Sequence, residues 1–399
     1  MKTVFVDGPA IVGDGRILET ATVLIDDTHI VSVETGGKNI PSDARIVSLR
    51  GRTLMPGFID CHVHVCLDAS PDPITASMSE PSTVTALKAA RFARKTLEAG
   101  VTTIRDMGGI DGIDLGLREA VRSGLIPGPR MLVSGRLICM TGGHGWQMGI
   151  EANGPAEVRK AAREQIKAGV DIIKLMATGG VMTPGVEPGS EQLTEEEMRA
   201  GIEEAHKAGR KTATHAMGTR GVLNALRAGI DSIEHGVYLN EETVSFMVEN
   251  RIPCIPTLSA LFNIEANGLQ AGIPKFAVDK TIAVKPHHLA SIQMAKEAGV
   301  PVAMGTDAGT PFNLHGENLD ELKRLAAEGF SPMEAIRCGT QTAAKTLGLD
   351  AHIGAIETGK IADLVVVEGN PLDHIELLCQ KEAIHMVIQE GKLVKGNWE

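Results

Sequence analysis

Gly57-Phe58-Ile59-Asp60-Cys61-His62-Val63-His64 is a short apolar run that ends in two histidines. On a β-strand alternate side chains share a face, so His62 and His64 point the same way, roughly 7 Å apart along the backbone. Two imidazoles from one strand end can share a metal ion, and neutral imidazole suits zinc and its neighbours. An isolated His-x-His is more often one core histidine beside one loop histidine. The strands that follow decide between these readings.

Downstream of this run, helix and strand patterns alternate. Glu98-Ala-Gly100, Lys167-Ala-Gly169, Lys207-Ala-Gly209, Arg227-Ala-Gly229 and Glu297-Ala-Gly299 each close a helical pattern, with glycine supplying the left-handed residue of the cap. Thr194-Glu-Glu-Glu197 and Ser331-Pro-Met-Glu334 predict capping boxes at helix starts. Short β-rich runs follow the glycines at 101–104, 171–175, 212–215, 230–233 and 300–303. With 58–62, 131–135 and 252–255 they make eight strands. Eight such units predict an α/β fold, a (β/α)₈ barrel over residues 57–357. A doubly wound open sheet is the alternative, but the first strand–helix turn has His-Val-His in place of a glycine-rich phosphate loop.

The two ends of the chain read differently. Residues 1–56 show short strands (4–6, 21–25 and 30–33) and turn chemistry at Gly13-Asp-Gly15 and Asp26-Asp27. Residues 358–399 have the same texture, with strands predicted near 362–367 and 385–388 and a hairpin turn at Glu390-Gly391-Lys392. Together they predict one β-sandwich built from both termini, although two unrelated flaps would leave the same pattern.

Composition narrows the function classes. A formal net charge of −11 and the lack of any basic run argue against a nucleic-acid partner. No apolar stretch approaches the roughly 18 residues of a membrane span, so no membrane partner is expected. The N-terminal apolar run breaks at Asp7 and Gly8, too early for a signal peptide. Six scattered cysteines without a C-x-x-C pair fit reduced thiols and a cytoplasmic location.

Polar residues recur where strands end, the face on which such barrels place their active sites. They are His62, His64, Lys174, His215, His235 and Asp307. An interior normally filled with Val, Ile and Leu would bear these only with partners. His215 alone could be a hydrogen-bonded core histidine, Asp307 a helix cap, and Lys174 an ion-pair partner of Asp307 or Asp171. A free ammonium would repel metal, whereas a lysine carboxylated by CO₂ is anionic and could bridge two ions.

This set resembles the metal-dependent amidohydrolase superfamily, as do Leu54-Met-Pro-Gly57 before the histidines and Gly359-Lys-Ile-Ala-Asp-Leu-Val365 near the far end. The resemblance implies two divalent ions, zinc foremost, with manganese, cobalt and iron open, though some members keep only one ion. His62 and His64 would bind the more buried ion with Asp307, His215 and His235 the second, and carboxylated Lys174 would bridge them. A hydroxide on the metal would attack the scissile carbonyl, with Asp307 as general base and then acid.

Within the superfamily, Thr141-Gly-Gly-His-Gly145, His235-Gly-Val-Tyr238, Thr306-Asp-Ala-Gly-Thr-Pro311 and His315-Gly-Glu317 are most similar to the Xaa-Pro and Xaa-Arg/Lys dipeptidase branch, with imidazolonepropionase more distant. That likeness implies His144 at the substrate carbonyl and Tyr238 at the product-side carboxylate; a solvated loop histidine and a packing tyrosine are the plainer readings. It implies release of a C-terminal amino acid from a small-molecule dipeptide or N-acyl amino acid, and a homo-oligomer. A cyclic-amide hydrolase or deaminase is the alternative, against which Lys174 counts. A non-enzymatic relative would typically have lost ligands. Acidic loop residues (Asp68, Asp72, Glu187, Glu191, Glu317) are candidates to receive a basic side chain.

Overall fold

The structure, a computed structural model, describes residues 2–37 and 40–398. The glycines that mark helix ends in the sequence adopt the backbone that role requires. Gly100, Gly169, Gly209, Gly229 and Gly299 all have positive φ. Both capping boxes form: Thr194 and Ser331 each accept from the backbone of the glutamate three residues on, whose carboxylate accepts in return. The chain divides into two compact units, Met1–Asp60 with Arg94–Thr103 and Gly316–Glu399, and Cys61–Ala93 with Ile104–His315.

The first unit carries an eight-stranded sheet drawn from both ends of the chain. Its order runs Lys392–Lys395, Ile384–Gln389, Leu364–Glu368, Arg52–Pro56, Thr3–Ile11, Ile17–Asp26, His29–Thr35, with Arg45–Ser48 pairing Thr3–Ile11. Leu364–Glu368 lies antiparallel to Arg52–Pro56, so the C-terminal segment completes a sheet begun near the N-terminus. Phe5, Val23, Leu54, Val366 and Met386 bury its apolar face.

The second unit is α/β. Six parallel strands run in the order Ile150–Glu151, Ile138–Cys139, Ile172–Met176, Lys211–Ala216, Ile233–His235, Cys254–Ile255. The parts of Phe58–Val63 and Val101–Asp106 that belong to this unit, from Cys61 and Ile104 onward, form a further sheet with Arg130–Val133. Single backbone bonds extend these sheets. Asp171 N donates to Val133 O at 2.8 Å, Ala303 N to Cys254 O at 3.0 Å, and Cys61 N to Met304 O at 2.9 Å. The run 300–303, expected as a strand, makes only an isolated bridge, Cys254 to Val302. Pro301 has no N–H to give a ladder, which limits regular pairing there. The strand expected at 230–233 instead begins at Ile233 and ends on His235. No helix among the described residues is long and apolar enough to cross a membrane.

Asp114, in the first turn of helix Ile113–Arg122, accepts from Gly135 N at 2.8 Å. Burial, reinforced by the Asp106 carboxylate, pushes its carboxyl up to about 7. Between the ordinary value of about 4 and that point, the folded protein holds a proton the unfolded chain has released. Stability therefore falls as pH rises through that window. Asp114→Asn should remove this slope, losing less Tm than wild type between about pH 5 and about pH 8 in thermal denaturation. Equal losses would show that Asp114 ionises normally.

Candidate metal centre and active site

Strand register explains which side chains meet. Met176 pairs with His215 and His215 with Glu234, while Lys174 pairs with Ala213. Alternation therefore turns Lys174, His215 and Glu234 to one face. His235, next in sequence, would point the opposite way on a regular strand. Its backbone instead takes φ 70°, in the left-handed region. That turn brings it beside His62 and His215, with ring centroids 5.2 and 4.5 Å away. Asp307 also has positive φ (62°), and its N–H donates to His62 O at 2.7 Å. The chain reaches this point through Gly305, where a Cβ would stand 2.2 Å from Ile255 Cγ2 and 2.9 Å from His62 Cβ.

Each of the four strand-end histidines has one ring nitrogen engaged from behind. His62 Nδ1 meets Glu234 Oε2 at 2.7 Å, and His64 Nδ1 donates to Gly108 O at 3.1 Å. His215 Nε2 donates to Gly179 O at 2.9 Å, and His235 Nδ1 meets Thr257 Oγ1 at 2.7 Å. The other nitrogen of each ring is the candidate ligand atom, since a hydrogen-bond partner behind the ring is the usual arrangement for metal-binding histidine. His62, His235 and Asp307 offer ligand atoms within 4.8 Å of one another, a group that could hold a metal ion. His64 adjoins this group, its Nε2 3.3 Å from Asp307 Oδ1. His215 reaches it through His235, and Lys174 lines the same cleft.

Electrostatics suit a cation. Burial holds His62, His215 and His235 well below the usual imidazole range, so they are neutral, the form that ligates metal. Burial also brings the Lys174 ammonium down to about 8, against the opposing pull of Glu234 and Asp307. Burial opposes ionisation of Asp307, but the hydrogen bond from His64 and the Lys174 ammonium outweigh it and hold the carboxyl below the usual carboxylate range. Its Oδ1 is buried without a well-aligned hydrogen bond.

His144 lies against His215, with ring centroids 4.4 Å apart, and its Nδ1 meets Thr183 Oγ1 at 2.8 Å. A Cβ at Gly180 would stand 2.3 Å from its Nε2, so only glycine leaves the ring this position. Tyr238 is not among the described residues lining the cleft, and packs near His287, 5.0 Å between rings. The acidic loop residues are also absent from that lining. Asp68 pairs with Lys88, Asp72 caps a helix, Glu191 pairs with Arg220, and Glu317 pairs with Lys381.

The amidohydrolase family profile matches residues 53–394. The chain belongs to the amidohydrolase family. Ochratoxinase of Aspergillus niger is 33% identical over 430 aligned residues, covering 99% of this chain and 87% of the relative. The crystal structure of a Xaa-Pro dipeptidase with methionine bound in its active site has 33% identity and a TM-score of 0.91, covering 99% of this chain and all of the other. A prolidase complexed with N-methylphosphonate-L-proline has 33% identity and a TM-score of 0.92, each chain covered in full. This amidohydrolase is thus related to Xaa-Pro dipeptidases, and it is a hydrolase of C–N bonds. The family generally uses divalent metals, and the histidines and the buried Oδ1 of Asp307 are chemically fit to bind one.

Sequence reasoning missed the residues behind the amidohydrolase centre. Arg105, fully buried, donates to Cys61 O at 2.5 Å, Ser232 Oγ at 3.1 Å and Glu234 Oε1 at 2.8 Å. Glu234 holds His62 with its second oxygen. His288 Nε2 donates to His235 O at 2.9 Å, clasping the strained turn. A glutamate between Ile233 and the strand-end His235 was the available signal, since a buried carboxylate requires a partner. Glu234→Gln should leave the buried Arg105 charge without its carboxylate counter-ion and lower stability by about 3–5 kcal/mol. Metal affinity should fall about 10–100-fold as His62 loses its fixed orientation. Denaturant titration and metal titration check the two effects separately; unchanged affinity would restrict Glu234 to neutralising Arg105.

Proposed function

We propose that this amidohydrolase releases a C-terminal amino acid from a dipeptide or an N-acyl amino acid. In this reading residues 57–357 close as a (β/α)₈ barrel, supported by the backbone bonds from Asp171, Ala303 and Cys61 that join neighbouring strands. The barrel would hold two divalent ions, zinc first, with His62, His64 and Asp307 as ligands of one and His215 and His235 as ligands of the other. Lys174, if carboxylated by CO₂, would supply an anionic ligand shared by both. The observation that carries the reading is the convergence of strand-end histidines on Asp307, each backed by its own hydrogen-bond partner.

Bound divalent ions would acidify a water and stabilise charge on the carbonyl oxygen. The protein's own groups do the rest. Asp307 takes the proton of the attacking water and returns it to the leaving nitrogen. Thr183 holds His144 Nδ1, which directs Nε2 to hydrogen-bond the scissile carbonyl. Apolar side chains such as Leu137, Leu261 and Ile264 flank the polar groups. The names of the solved relatives, a Xaa-Pro dipeptidase holding methionine and a prolidase holding a proline analogue, support release of a C-terminal residue.

Asp307→Asn should keep much of the bound metal and lose about 100- to 10,000-fold in kcat. Lys174→Arg should lose metal and activity together, because guanidinium stays protonated and cannot be carboxylated. Bicarbonate added during metal loading should raise the active fraction of wild type only. Metal content and hydrolysis of dipeptides, N-acyl amino acids and cyclic amides are the measurements. Full metal occupancy with normal turnover in Lys174→Arg would exclude the bridging carbamate, and turnover of cyclic amides alone would overturn the substrate class.

A further inference from the structure

A cleft of about 90 Å³ lies over the centre and opens to solvent. Met107, Met148, Met176, Met182 and Met217 contribute to its walls, five of the sixteen methionines in the chain. Aliphatic side chains such as Leu137, Leu261 and Ile264 lie among them. Among the described lining residues, the only ionisable side chains besides histidine are Lys174 and Asp307, both part of the proposed metal centre. Polar groups are thus concentrated where the amide reacts, and no wall offers an additional charged partner.

We propose that the site selects amides carrying a bulky uncharged group, aromatic above all, and discriminates against basic or acidic side chains. This rests on the amide-hydrolase reading and specifies its substrate. Unbranched methionine adapts to irregular apolar shapes, and its sulfur makes favourable contacts with aromatic rings. A charged side chain pressed against such walls loses its water and gains no counter-ion. The amide and any α-carboxylate belong beside the histidines, which leaves the methionine walls to the side chain and the acyl group. Met182 lies on the segment between strand Ile172–Met176 and helix Glu195–Lys207. Lys280 Nζ anchors that segment by donating to the backbone oxygens of Thr183, at 2.8 Å, and Val186, at 2.5 Å.

The test uses the full chain, metal-loaded, and N-(2-naphthoyl) derivatives of Phe, Leu, Lys, Arg and Asp. The Phe and Leu compounds should exceed the charged ones by about 100-fold or more in kcat/KM. Met182→Glu should narrow the gap to Lys and Arg by at least about tenfold and widen it for Asp, since the new carboxylate pairs with a basic side chain. Comparable rates for Phe and Lys in wild type, or an unchanged gap to Lys and Arg in a folded Met182→Glu variant, would overturn the proposal. Equilibrium binding of the same compounds to metal-free protein, read by naphthoyl fluorescence, separates this inference from the hydrolase reading. If no compound is cleaved, that reading fails, and the binding order decides the inference alone. Tighter binding of Phe than of Lys and Asp derivatives supports it, and equal binding overturns it.

Discussion

The Glu234 carboxylate, buried between Arg105 and His62, is the interaction on which the centre depends. A buried charge is costly unless it is paired and hydrogen-bonded. Here one oxygen accepts from the Arg105 guanidinium and Ser232, and the other engages the His62 ring. Arg105 also donates to Ser232 and to Cys61 O, in the strand that bears His62. Three strands are thereby tied together beneath the centre, and the first histidine is oriented before any ligand arrives.

Backbone strain supplies the second half of the arrangement. His235, Thr257 and Asp307 all occupy the left-handed region without being glycine. Such residues cost about 1–3 kcal/mol each and persist where the surroundings over-determine them. His235 is held by Thr257 through its ring and by His288 through its carbonyl, and Asp307 is held by its N–H to His62 O. The strain is located where side chains must leave the regular alternation of a strand to face a common point.

The cleft above contrasts with this base. Its charged groups are confined to one end, and flexible thioethers and aliphatic groups supply much of the remaining wall. This separation lets one site combine a desolvated polar centre, where electrostatic effects are strongest, with a surface that adapts to apolar shape. The Thr183 segment joins the two, since its hydroxyl holds His144 while its neighbours Val181 and Met182 line the wall.

Much of the local plan was legible in the sequence. Glycines after helix ends, two capping boxes, alternation in Phe58–Val63 and polar residues at the ends of apolar runs are properties of nearest neighbours along the chain. They were sufficient to gather His62, His64, Lys174, His215, His235 and Asp307 into one set; the amidohydrolase family was indicated by the resemblance of that set and of the motifs at 54–64 and 359–365. Tertiary structure decided what depends on residues distant in sequence. Glu234 could be assigned to His62 and Arg105 only once three strands were in register, and the alternation rule alone would have turned His235 away from the centre. The absence of Tyr238 and the acidic loop residues from the cleft lining likewise followed from packing, because loop residues carry no periodicity that sets their direction. Sequence spacing specifies which faces side chains share within one element; which groups meet across elements is set by register, by left-handed turns and by the partners that buried charges require.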